Sequence, residues 1–180
     1  MGEAIKHCAA NLANFDGRDA RSTFWWWVLL VVIVAFVISF VTSVVFVASA
    51  MTGAFQSAAG GVDEAQLQIE MMQATAEGME TQFWIGSLIS IVGLGLVIAT
   101  FVRRLRDAGL PVLIAIVPVV TTLWSLYAGY GQISEISELM AAGDIFAVED
   151  FAASAAATSL IGYVGYLVVI VCGLIPTKAN

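Results

Sequence analysis

Charged side chains make up only 12% of this 180-residue chain, and apolar ones 60% without counting glycine. Soluble domains hold about 45–50% apolar residues with glycine included. A soluble fold of this length would lack the charge to cover its core. Histidine occurs once, at His7, and cysteine twice, at Cys8 and Cys172. One cysteine lies in a polar arm and the other in an apolar run, which excludes a disulfide framework or a CxxC pair. A closed protein metal site wants about four ligands, so neither metal nor cofactor is expected. Seven bases against fourteen acids give a net charge of −7, which speaks against nucleic acid. The mean hydropathy of +0.93 points to a membrane as the solvent for this composition.

Four stretches carry no Asp, Glu, Lys or Arg: 25–49, 83–102, 110–130 and 152–175, together half the chain. Each reaches the ~20 residues a helix needs to cross the hydrocarbon core. The fourth is the weakest, because 152–159 is small and only mildly apolar, so its helix is expected to begin before Leu160. Ala48-Ser49-Ala50 has the look of a signal-cleavage site. The run before it is far longer than the apolar core of a cleaved signal, about 7–15 residues, and is expected to stay as an anchor. The expectation is an all-α, polytopic membrane protein, a single domain over 1–180 with four transmembrane helices.

Orientation follows from the bases. Lys6, Arg18, Arg21, Arg103, Arg104, Arg106 and Lys178 all fall before span one, between spans two and three, or after span four. Connections 50–82 and 131–151 hold none, but carry ten acids. The positive-inside rule then gives an N-in/C-in topology. Trp25, Trp26 and Trp27 at one edge, with Phe83 and Trp84 at the other, read as interface anchors.

Outside the spans, residues 62–82 have helical period. Val62, Ala65, Ile69, Met72, Ala76 and Met79 share one face, followed by Asp63, Gln66, Glu70, Gln73, Glu77 and Glu80. No proline interrupts this segment, so it can continue into span two as one helix. Two accounts compete: an arm that binds a partner, and a hairpin resting on the protein's own outer surface or on headgroups, which is preferred. Its acidic face favours protein over anionic lipid. Near the N-terminus, Ile5, Cys8, Ala9 and Leu12 form a short apolar stripe before a turn at Asn14-Phe15-Asp16-Gly17. His7 reads as a surface histidine.

Two polar elements remain. One is Phe15-Asp16-Gly17-Arg18-Asp19-Ala20-Arg21-Ser22-Thr23-Phe24-Trp25-Trp26, the other Val102-Arg103-Arg104-Leu105-Arg106-Asp107-Ala108-Gly109. Together they resemble the small inner-membrane proteins grouped as domain of unknown function 805. Phe15, Gly17, Arg18, Arg21, Phe24 and Trp25 match its F-x-G-R-x-x-R-x-x-[FY]-W pattern. Arg103, Arg104, Leu105, Asp107 and Gly109 match its R-R-L-H-D-x-G pattern. Arg106 stands where the family has His, Leu110-Pro111-Val112 replaces a common S-G-W, and the tail lacks the frequent N-x-[FY]-G-x-D-P close. The resemblance implies a bacterial inner (plasma) membrane and brings no established reaction.

Both elements share one membrane face and carry opposite charges. If the arginines only set topology and bind headgroups, the interleaved Asp16, Asp19 and Asp107 go unexplained. An ion-paired plate is expected instead, tying the N-terminal arm to the middle loop through arginine forks. Its candidate residues, structural or interacting, are Phe15, Gly17, Arg18, Asp19, Arg21, Trp25, Arg103, Arg104, Arg106, Asp107 and Gly109.

No ionisable side chain sits at membrane depth, so no catalytic constellation and no proton- or ion-coupling group is in view. The chain is expected not to be an enzyme. The leading expectation is an accessory or scaffold subunit, with the lipid bilayer and other membrane proteins or its own copies as partners. The alternative is a small solute or lipid carrier or pore, since Pro118 with Thr121 and Thr122 can kink span three and line a polar cavity. Small residues suggest how the bundle closes. Gly86, Ser90 and Gly93 on span two are expected to meet Ser154, Thr158, Gly162 and Gly165 on span four.

Overall fold

Long uncharged runs leave the backbone one way to satisfy its polar groups in an apolar medium, which is the helix. The computed structural model describes residues 2–61, 63–142 and 145–177, with side chains described at only some positions of 64–76 and 137–158. Five α-helices follow in order: α1 (Gly2–Ala10), α2 (Arg21–Ala59), α3 (Glu64–Ala108), α4 (Ile116–Ala142) and α5 (Ile145–Leu174). A 3-10 turn, Val112–Ala115, leads into α4. Among the described residues there is no strand.

Three stretches are long and apolar enough to cross a membrane: Arg21–Ala59, Glu77–Ala108 and Val112–Ile136. A shorter apolar stretch, Ser159–Leu174, lies in the fourth expected span. The helix around it starts at Ile145, well before Leu160. Pro118 falls in the first turn of α4, where a missing N–H is tolerated. The helix needs no kink there.

The outer segments continue the spans. α2 runs 39 residues and α3 runs 45, roughly twice the crossing length. Gly60 and Gly61 turn the chain between them. Gly60 N–H donates to Gln56 O at 2.9 Å, and Gly61 takes a φ of +71° that glycine adopts freely. Each helix is continuous across the segment boundary, so the hairpin extends the bundle and does not lie back over it. The side chains of Ala65, Ile69, Met72 and Ala76, and all of Val62, fall outside the described residues.

Burial concentrates at the opposite end. Phe24, Phe101, Val102, Leu105, Ala115 and Cys172 form the core there, flanked by Val28, Val97, Ile98 and Val168. Phe24 meets Trp25 edge-on at 5.5 Å and Phe101 at 6.3 Å. Along α2 the most apolar window has 0% of its residues buried, with Phe36 and Phe40 exposed. Such a surface suits lipid, not water. Trp27 is buried, donating to Leu96 O at 2.9 Å, and Trp25 donates to Gly173 O at 3.2 Å. Of the three tryptophans expected as anchors, Trp26 alone is exposed. The others tie α2 to α3 and α5.

The small-residue stripes meet different partners from those expected. A Cβ built at Gly162 would strike the Ser125 side chain, and one at Gly165 would strike Thr121 and come within 3.0 Å of Pro118 Cα. Both glycines therefore seat α5 on α4. Gly86 has nothing within 4 Å of that position and Gly93 only Val31. The side chains of Ser154 and Thr158 lie outside the described residues. The α4–α5 connection is short, which makes these helices antiparallel neighbours and gives them first claim on each other's small faces.

Candidate functional site: a buried arginine–aspartate plate

At the closed end, the last turns of α3 gather both chain termini. Residues three apart on a helix share a face. Arg103 and Arg106 thus point to one side, and Arg104 and Asp107 to another. The first pair holds the loop that follows α1. Arg103 Nε donates to Asp19 Oδ2 at 2.7 Å, and its Nη1 donates to Asn11 O at 2.8 Å and to Asn14 O. Arg106 Nη1 donates to Phe15 O at 2.5 Å and to Asp16 Oδ1 at 3.2 Å. The second pair holds the exit of α5. Arg104 donates to Asp107 and to Ile175 O, and Thr177 Oγ1 donates to Asp107 Oδ2 at 2.8 Å.

Burial separates these contacts in strength. The Asp19 and Arg103 side chains are 1% and 2% exposed, whereas Asp16 is 94% exposed. Arg104 is fully buried, and its Nε alone meets no partner among the described residues. A guanidinium is tolerated there because two of its three nitrogens find an ion or a carbonyl.

Glycines shape the corners. Gly109 takes a φ of +71° as α3 ends, with Leu110 N–H donating to Leu105 O at 2.8 Å and Gly109 N–H to Arg106 O at 3.2 Å. This is a Schellman close. Gly17 has a φ of +98°, a left-handed turn that sends the chain back beneath Arg103. Asn14 Oδ1 accepts from Asp16 N–H at 3.0 Å, which sets up that turn.

Of the candidate residues, the structure brings Asp19, Arg103, Arg104, Arg106 and Asp107 into contact or onto shared backbone. Trp25 seats against α5, and Phe15 contributes its carbonyl with an exposed ring. Arg18 and Arg21 are exposed and make no ion pair among the described residues. Sequence reasoning missed His7 and Cys8. His7 Nε2 lies 3.3 Å from Asp19 Oδ1. Cys8 is fully buried beside Thr100 and Arg103. Burial first, and then the Asp19 carboxylate, push its thiol above the ordinary value, against hydrogen bonds from Thr100 and Arg103. The apolar stripe of α1 held a signal for Cys8. No spacing rule links His7 to a carboxylate twelve residues on. Among the described residues, no three of His, Cys, Asp and Glu gather as metal ligands would.

Helices apolar on their outside and fastened at one end by buried ion pairs have the make-up of an integral membrane protein. The chain belongs to the family described as protein of unknown function (DUF805), whose model matches residues 12–180. That match takes in both arginine-bearing elements and begins just after α1. No curated protein matches the chain, and neither does any solved structure.

Proposed function

We propose that this protein is a four-span, N-in/C-in subunit of the bacterial inner membrane that serves as a non-catalytic accessory or scaffold for other membrane proteins. The observation that carries this reading is the outer hairpin. At the helical rise α3 is roughly 68 Å long against about 30 Å of hydrocarbon. The excess projects as an arm built from 50–59 and 64–82. The arm's Met51, Phe55 and Met71 are 55%, 69% and 49% exposed, outside the expected spans 25–49 and 83–102. Apolar side chains outside the lipid mark a protein-binding surface. The plate supports the same reading, since Arg103, Arg104 and Arg106 are engaged in holding the loop after α1 and the exit of α5.

A photo-crosslinking residue placed at Phe55 or Met71 in intact membranes should give one discrete adduct. The same residue at Arg18, on the opposite face, should not give that adduct. An absence of any adduct from the arm would sink the accessory role. The carrier reading is kept on one observation, a chain of clefts lined by α3, α4 and α5, with α2 joining at one of them.

A further inference from the structure

Midway along the bundle, α3, α4 and α5 line an open cleft of about 260 Å³, where Ser87, Ser90, Thr122 and Ser125 stand among Phe83, Leu126 and Tyr166. It adjoins a second of about 190 Å³ toward the plate and a third of about 330 Å³ toward the outer end, and Gly162 and Tyr166 line all three. No lining residue of the three is Asp, Glu, Lys, Arg or His. An apolar cleft with a few placed polar groups is the usual form of a small-molecule site.

The hydroxyls are not equivalent. Ser90 donates to Gly86 O at 2.9 Å, Thr122 to Pro118 O at 2.7 Å, and Ser125 to Thr121 O at 2.9 Å. A hydroxyl has one hydrogen, so these three oxygens face the cleft as acceptors. Ser87 differs. It is 7% exposed, lines the same cavity, and makes no hydrogen bond among the described residues, not even back to its own helix. Its hydroxyl opens on the cleft as a free donor, and bilayer lipid tails offer it no acceptor.

A head that fits must accept from Ser87 and donate to its neighbours. An alcohol does both with one oxygen. An ether or ester only accepts, and a phosphate or carboxylate would bring charge into a cleft without a counter-ion. We infer that the cleft binds an uncharged lipid alcohol, with its hydroxyl head at Ser87, Ser90, Thr122 and Ser125 and its tail along the apolar wall toward the plate. The site is independent of the accessory reading, because no residue of the outer arm lines it.

Titrating the full-length protein in nanodiscs with tritiated oleyl alcohol tests this. Saturable binding of one molecule per chain is expected. Oleyl methyl ether should compete about tenfold less well, and oleyl phosphate not at all. Ser87→Ala should bind about tenfold more weakly while unfolding near the wild-type temperature, since no hydrogen bond within the protein is lost. Gly86→Leu, whose side chain enters space with nothing within 4 Å of the Cβ position, should abolish binding. Purely non-saturable partition, or equal affinity for alcohol and ether, overturns the proposal. So does wild-type binding by Ser87→Ala, which would mean that water alone meets this serine.

Discussion

A carboxylate that is 1% exposed and has a guanidinium at 2.7 Å acts on stability differently from one that is 94% exposed. Asp19 and Arg103 have both left water, so either one alone is an uncompensated buried charge. Breaking such a pair costs about 3–5 kcal/mol. Asp19→Ala should therefore lower stability by that order, measured by denaturant or thermal unfolding in detergent. Asp16→Ala, which breaks the exposed Arg106 contact, should change it by less than about 1 kcal/mol. Equal losses from both variants would mean that burial does not grade the plate. The two carboxylates look alike in the sequence, three residues apart and both near arginines. Nothing in composition tells which aspartate folds inward, because that depends on the Gly17 turn and on the carbonyls of Asn11 and Asn14. A pairing between the two elements, met by Asp19 with Arg103, was legible from their opposite charges on one membrane face, whereas Asp107 pairs within its own helix, with Arg104. The backbone partners were not legible, since carbonyls carry no side-chain signature.

Among helices, the lack of charge located three spans that are long and apolar enough to cross a membrane, and small residues placed their neighbours poorly. The Gly162 and Gly165 stripe announces close packing without naming the helix it packs on. Chain connectivity decided for α4. The two glycines should also differ in sensitivity. At Gly165 a methyl would press on Pro118 Cα at 3.0 Å, which is backbone at the start of a helix and has little room to yield. At Gly162 it would meet a serine side chain, which can rotate away. Gly165→Ala should cost about 1–3 kcal/mol, in the range of overpacked sites, and Gly162→Ala distinctly less. Unfolding midpoints of the two variants check the order, and a reversed order would show that α5 does not sit on α4 through these residues. The tryptophans teach a related lesson. Three in a row at the start of a span read as a belt, yet a helix turns about 100° per residue, so the three point in different directions. Trp25 and Trp27 face other helices and find carbonyls there.

For the whole molecule the deciding asymmetry is between its two ends. One end holds buried aspartates and arginines locked to backbone, and the other extends as acid-bearing helices with no Lys or Arg in 50–82 or 131–151. Insertion responds to bases near the spans and little to acids, so the arginine-rich end should stay in the cytoplasm. The plate adds a second reason. Arg103, Arg104 and Arg106 reach Asn11, Ile175 and Phe15, so the N-terminal loop, the α3–α4 connection and the exit of α5 lie on one side together. An odd number of crossings would put the chain's two ends on opposite faces and leave these contacts impossible. The three longest apolar helices alone would give an odd number, and the proposed four-span topology, with α5 as the fourth, accommodates the contacts. Single cysteines at Gln66 and Glu138, in a chain whose Cys8 and Cys172 are replaced by serine, should react with a membrane-impermeant maleimide in intact cells. A cysteine at Ala179 should react only after the membrane is opened. Labelling at Ala179 in intact cells, with Arg18→Cys still protected, would place the termini on opposite faces. That result would refute both the four-span topology and the bridging of the two termini by the plate.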